Sequence, residues 1–122
     1  MRWYTDGAGW NGKVSRWAVV NDAQFQRITV KHERLTNNQA EYSAMKEALG
    51  MANDGDEIRS DSELIVYQLT GKYRTKNVRL KPLHEECRNL MNQKRARLVI
   101  VRREENKAGK LLEGMASRPD SA

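Results

Sequence analysis

Three carboxylates of this chain stand where packing alone would not put them. Asp6 closes an alternating run before Gly7-Ala8-Gly9, Glu41 falls in phase with Ala44, Met45 and Ala48, and Asp61 follows the short extended segment Glu57 to Ser60. An ionised carboxylate on the sheet-facing stripe of a helix loses several kcal/mol of hydration unless it meets a cation or hydrogen-bond donors. If the strands that end at Asp6 and Asp61 are neighbours, their carboxylates converge and Glu41 arrives from the helix above. Like charges so close require a divalent cation between them. Oxygen ligands without a paired His or Cys select magnesium or manganese over zinc. Each acid also has a plainer reading taken singly: Asp6 as a turn residue, Asp61 as a helix N-cap, Glu41 as the last member of a capping box begun by Asn38.

The elements that must position these acids follow from pattern. Residues 2 to 6 alternate as a strand, Asn11-Gly12 signals a hairpin turn, and Arg16 to Val20 and Gln24 to Arg34 supply two more extended segments. Thr36-Asn37-Asn38 offers N-cap side chains before a helix from Gln39 to Ala52, ended by Asn53-Asp54-Gly55. A strand over Glu57 to Ser60 leads to a helix capped by Ser62 and ended by Gly71. Residues 72 to 79 read as a loop. Leu80, Leu83, Cys87, Leu90 and Met91 then mark an amphipathic helix with Pro82 in its first turn, Ala96 to Val101 a last strand, and Glu105 to Met115 a last helix. His32 falls in the third extended segment. The order predicts an α/β fold with a mixed sheet flanked by helices, in one domain over residues 1 to 116, with a disordered tail over 117 to 122.

The chain has 122 residues and a net charge of +6. No apolar run approaches the ~20 residues of a membrane span, and the first residues lack the apolar stretch of a signal peptide, so a soluble, cytoplasmic protein with no membrane partner is expected. Cys87 is the sole cysteine and reads as a buried, inert thiol, which excludes an internal disulfide or a thiolate zinc site. Charge is segregated: residues 72 to 103 carry eleven Lys and Arg against Glu85 and Glu86, a net of +9, so the rest of the chain is at −3. A basic lobe on an acidic body suits a polyanionic partner, nucleic acid first, and a chemistry that needs carboxylates.

Four ordered blocks carry a family resemblance: Tyr4-Thr5-Asp6-Gly7, Thr36-Asn37-Asn38-Gln39-Ala40-Glu41-Tyr42, Ser60-Asp61-Ser62 with Val66-Tyr67-Gln68-Leu69, and Arg103-Glu104-Glu105-Asn106. They resemble the type 1 ribonuclease H family, in its compact form without a separate basic protrusion. The resemblance implies a five-stranded mixed sheet in the order 3-2-1-4-5. It also implies endonucleolytic hydrolysis of the RNA strand of RNA/DNA hybrids with two magnesium ions, manganese as a substitute, and products with 5′ phosphate and 3′ hydroxyl ends. Asp6, Glu41 and Asp61 match the family's metal ligands. Gly7, Thr36, Asn37, Asn38, Gln39, Tyr73, Lys76, Asn77 and Arg103 fall at or near positions that touch the hybrid, and neither an obligate protein partner nor an oligomer is implied.

The match departs from the family at two places. The family's fourth ligand is an Asp in the pattern Asn-x-x-Ala-Asp-x-Leu, and counting from Asn106 puts Lys110 there. A lysine cannot bind magnesium, so Asn106, one turn earlier, is expected to lend its amide oxygen as a catalytic and metal ligand, with N-capping of the last helix as its other reading. The mobile-loop histidine of some members has no counterpart, since neither His32 nor His84 matches. The alternative to an active nuclease is a protein that binds hybrids or double-stranded RNA and has lost turnover, a possibility raised by Lys110.

Overall fold

The computed structural model describes residues 1–116. The tail expected over 117 to 122 lies outside them. The order is β1 (Arg2–Ala8), β2 (Ser15–Asn21), β3 (Gln26–Lys31), α1 (Asn37–Met51), β4 (Glu57–Ser60), α2 (Glu63–Leu69), α3 (Lys81–Lys94), β5 (Arg97–Ile100), a 3-10 turn (Arg103–Glu105) and α4 (Lys107–Ala116). The five strands form one sheet in the order β3-β2-β1-β4-β5. β1 pairs antiparallel with β2, Asp6 opposite Ala18, and parallel with β4, Thr5 beside Ser60. That register sets Asp6 and Asp61 one step beyond the last parallel pair, at the carboxyl ends of adjacent strands.

Both faces of the sheet are covered, as parallel strands require. Trp3, Val19 and Ile58 form one core with Tyr42, Met45 and Leu49 of α1 and with Ile65, Leu69 and Cys87 of α2 and α3. On the other face Tyr4 and Ala18 meet Ala108 and Leu112 of α4. Strand alternation explains the division, since Trp3 and Tyr4 must point to opposite sides. Cys87 is fully buried and its thiol is pushed up to about 12, chiefly by burial, in keeping with an inert role.

Local boundaries differ from expectation in several places, among them the start of α1, which is Asn37 and not Gln39. β1 continues through Gly7 to Ala8 instead of stopping at Asp6, because these two residues still pair with Trp17 and Arg16 of β2. β3 is shorter than the extended pattern, and His32 lies just past it. The last helix does not start at Glu105; a 3-10 turn comes first, and α4 begins after Asn106. Among the described residues, no helix is long and apolar enough to cross a membrane.

Candidate active site

Asp6, Glu41 and Asp61 come together at the carboxyl ends of β1 and β4. One ligand oxygen of each lies within 4.8 Å of the others. The plainer readings of these acids fail on the backbone. Asp6 lies within β1, Ser62 and not Asp61 caps α2, and the capping box of α1 is closed by Thr36 and Gln39, not by Glu41. Glu41 reaches the cluster because Gly7 has no side chain. A Cβ there would lie 2.4 Å from both the Ala40 carbonyl carbon and the Glu41 nitrogen, so only glycine lets α1 cross the strand this closely. The Gly7 amide donates to Glu41 Oε1 at 2.6 Å and fixes that carboxyl over the strand end.

The electrostatics follow from the convergence. Burial pushes the Glu41 carboxyl up to about 9, and the Asp6 charge beside it adds to the effect. Burial also raises Asp6, although bonds from Arg103 and Glu41 oppose the rise. The pair is best described as sharing a proton held on Glu41. Arg103 supplies the local cation: its Nη1 donates to Asp6 Oδ1 at 2.8 Å and Asp61 Oδ2 at 2.9 Å, and its Nε donates to Glu113 Oε1 at 3.1 Å. Burial disfavours its charge, but Asp61 and Asp6 outweigh that and hold the guanidinium firmly protonated. These groups line an open cleft of about 400 Å³ together with Arg16, Asn37 and Leu112.

Asn106 does not join the cluster, which corrects its assignment as the fourth ligand. It is fully buried, its Nδ2 donates to the Thr5 carbonyl at 2.9 Å, and its Oδ1 accepts from the amides of Ala108 at 3.1 Å and Gly109 at 3.4 Å. The oxygen offered to metal is therefore spent as the N-cap of α4. Lys110 is exposed and lines a different groove, with Asn21, Asp22 and Gln24. The position that faces the acids is Gly109, where a Cβ would stand 2.9 Å from Arg103 Nη1 and 3.5 Å from Asp6 Oδ2. Sequence reasoning missed this glycine because it counted from Asn106. Ala108-Gly109-Lys110-Leu111 fits Ala-Asp-x-Leu with Gly in the place of Asp and one residue fewer between Asn106 and the Ala than the family pattern has. Glu113, the third partner of Arg103, was missed as well, and no motif marked it.

The other singled-out residues fall into two groups. Thr36, Asn37, Asn38 and Gln39 stand at the amino end of α1 beside the cleft, and several of their side chains have backbone duties. Asn37 Oδ1 accepts from the Gly9 amide at 2.8 Å. Thr36 Oγ accepts from the Gln39 amide at 3.1 Å, and Gln39 Oε1 accepts from the Thr36 amide at 2.8 Å. Tyr73, Lys76 and Asn77 belong to the segment between α2 and α3. Tyr73 is exposed with its ring edge-on to Tyr67 at 5.1 Å, Lys76 is exposed, and Asn77 Oδ1 accepts from the Arg79 amide at 2.8 Å.

The basic lobe divides in the same way. Arg88 Nη1 donates to the Leu69 carbonyl at 2.6 Å, Lys94 Nζ to the carbonyls of Gly50 and Ala52, and Arg95, Arg97, Arg102 and Arg103 each pair with carboxylates. The cations turned to solvent concentrate in Lys72, Arg74, Lys76, Arg79 and Lys81, a narrower patch than the charge count implied.

Comparison with known proteins agrees with this geometry. A family model described as RNase H matches residues 1–109. RNase H1 from the halophilic archaeon Halobacterium salinarum NRC-1 is 29% identical, with 91% of this chain and 92% of that one covered and a TM-score of 0.75. LC11-RNase H1, isolated from compost by a metagenomic approach, is 28% identical over 95% of this chain and 97% of its own, with a TM-score of 0.75. The same enzyme in complex with an RNA/DNA hybrid superposes with a TM-score of 0.69 at 26% identity, with 91% of each chain covered.

Proposed function

Since the chain belongs to the RNase H family and is a ribonuclease H enzyme, we propose that it cuts the RNA strand of RNA/DNA hybrids endonucleolytically, leaving 5′ phosphate and 3′ hydroxyl ends. The observation that carries the reading is the convergence of Asp6, Glu41 and Asp61 at the ends of β1 and β4. The set fits divalent metal. It is all oxygen, and a cationic guanidinium already spans Asp6 and Asp61. Asp6, Glu41 and Asp61 would hold the metal, magnesium first and manganese as a substitute. Two such ions supply Lewis acidity at the phosphate and a nucleophile from water at neutral pH.

The chain's own groups do the rest. Glu41, whose burial makes its carboxyl hold a proton more firmly than an ordinary carboxylate, would have to release that proton to serve as a metal ligand. Because the oxygens of the Asn37 and Gln39 amides are occupied by backbone N–H groups, the groups left for substrate are the Nδ2 and Nε2 donors. Donors suit the acceptors of a hybrid's minor groove and ribose 2′-hydroxyls, where RNA and DNA differ. The Thr36 hydroxyl accepts within its capping box and keeps its proton to donate to a phosphate. Tyr73 and the cations of 72 to 81 face the backbone of the DNA strand, with Asn77 shaping the loop that carries them. These contacts would orient the duplex and place a phosphate in the cleft beside the carboxylates that would hold the metal.

Cleavage of an end-labelled RNA/DNA hybrid in magnesium, in manganese and with chelator tests the reading, with Asp6→Asn as the control. Cleavage with either metal that chelator and Asp6→Asn abolish is the expected result. Hybrid binding without cleavage in both metals would establish the binding-only alternative.

A further inference from the structure

Gly109 and Arg103 together make an arrangement that a four-carboxylate site would not allow. Where a fourth acidic side chain would project toward Asp6, Gly109 offers only backbone, and the guanidinium of Arg103 occupies the space 2.9 Å from where a Cβ would begin. Nη1 lies between Asp6 and Asp61, whose side chains are only 5% and 15% exposed, while the arginine side chain is 48% exposed. The carboxylates are thus fixed and inward, and the cation that bridges them reaches in from solvent. Nε is bonded to Glu113, whose side chain is 61% exposed, so the guanidinium can leave the acids and keep a partner.

We propose that Arg103 is a built-in counter-cation of the acidic trio, one that holds Asp6 and Asp61 together until a divalent metal ion displaces it, so that this side chain sets how tightly the site takes metal. The inference rests on the reading of Asp6, Glu41 and Asp61 as a metal site. Metal and guanidinium compete for the same two carboxylates, so a metal ion that takes Asp6 Oδ1 or Asp61 Oδ2 displaces Nη1. Metal binding is weakened by the fraction of molecules in which the arginine is seated. With two direct ion pairs to inward carboxylates, the expected weakening is about tenfold. The compensating gain is a site whose like charges do not repel when metal is scarce. Gly109 is the condition for this arrangement, since any side chain there crowds the guanidinium.

The test is manganese binding by titration calorimetry, without nucleic acid, to the unaltered chain, Arg103→Ala and Asp6→Asn. Arg103→Ala should bind about tenfold more tightly than the unaltered chain and Asp6→Asn should lose binding. Equal or weaker binding by Arg103→Ala, with Asp6→Asn still defective, would overturn the proposal and leave the metal site standing. Binding by none of the three would overturn both. A second measurement needs no variant. Modification of Arg103 by phenylglyoxal, mapped by mass spectrometry, should speed up on addition of manganese; an unchanged or slower rate counts against displacement.

Discussion

The α-carbon of Gly7 lies so close to Glu41 that a methyl group on it would stand 2.4 Å from the Glu41 nitrogen. The neighbour is backbone, which cannot swing aside as a side chain can. Gly7→Ala should therefore cost about 3 kcal/mol or more and displace Glu41 from Asp6. Denaturant titration would show the lost stability, and hybrid cleavage by the folded fraction should fall as well. A variant of normal stability would mean that α1 has more freedom than the contact implies.

Replacing any member of the trio by its amide tests the site as a unit. Asp6→Asn, Glu41→Gln and Asp61→Asn should each lower the turnover of a hybrid at least a hundredfold, about 2.7 kcal/mol of transition-state stabilisation. Hybrid binding measured in chelator should change far less, because the contacts of Asn37, Gln39 and the basic loop remain.

The Glu41 carboxyl, pushed up to about 9, makes stability depend on pH in a direction opposite to that of an ordinary surface carboxylate. The folded protein keeps a proton that the unfolded chain releases above about pH 4.5, so this contribution is full below that value and is lost as pH rises through about 9. Asp6 is raised too and acts in the same direction. In chelator the melting temperature should decline from about pH 5 to about pH 9. Glu41→Gln can still accept from the Gly7 amide and donate to Asp6 without ionising. Its decline should be shallower, and parallel curves would contradict the shared proton.

Asn106 stabilises α4 without touching the acids. Asn106→Ala removes the cap and the donor to the Thr5 carbonyl, at a cost of about 1–3 kcal/mol. Manganese affinity of the folded protein should be unchanged. A tenfold loss of affinity at intact stability would return Asn106 to the ligand set.

Salt dependence separates the cations that grip nucleic acid from those that close helices. Lys76→Ala should reduce the slope of log affinity against log salt by about 1, in anisotropy titrations of a labelled hybrid. Arg88→Ala should leave the slope alone and lower stability, since its guanidinium is committed to the Leu69 carbonyl. A slope that falls equally in both would show that the whole lobe faces the duplex.

Much of this was legible in the residues. The alternation of Trp3 and Tyr4, the Thr36 and Ser62 caps, the glycine stops and the phase of Glu41 are local signals, each set by interactions within a turn or a strand, and they put Asp6 in the first strand, Glu41 in the second turn of a helix and Asp61 just past the fourth strand. That Asp6 and Asp61 are neighbours follows from the adjacency of β1 and β4, which the parallel register shows. Local signals also misled where two residue types could serve one role. Asn106 has the oxygen of a ligand and the oxygen of a cap, and composition cannot say which use prevails.

Only the tertiary structure decided the fourth position. In a helix a shift of one residue turns a side chain by about 100°, so whether Gly109 or Lys110 faces the acids depends on how α4 is rotated about its axis. That rotation is fixed by Ala108 and Leu112 settling on Tyr4 and Ala18 across the sheet, and by the Asn106 cap tied to Thr5, contacts between residues about a hundred positions apart. The same packing leaves a gap at Gly109, and Arg103, which the family resemblance could place only near the hybrid, fills it between Asp6 and Asp61. The sequence determined that this chain would gather carboxylates; the long-range packing of one short helix determined which cation meets them first.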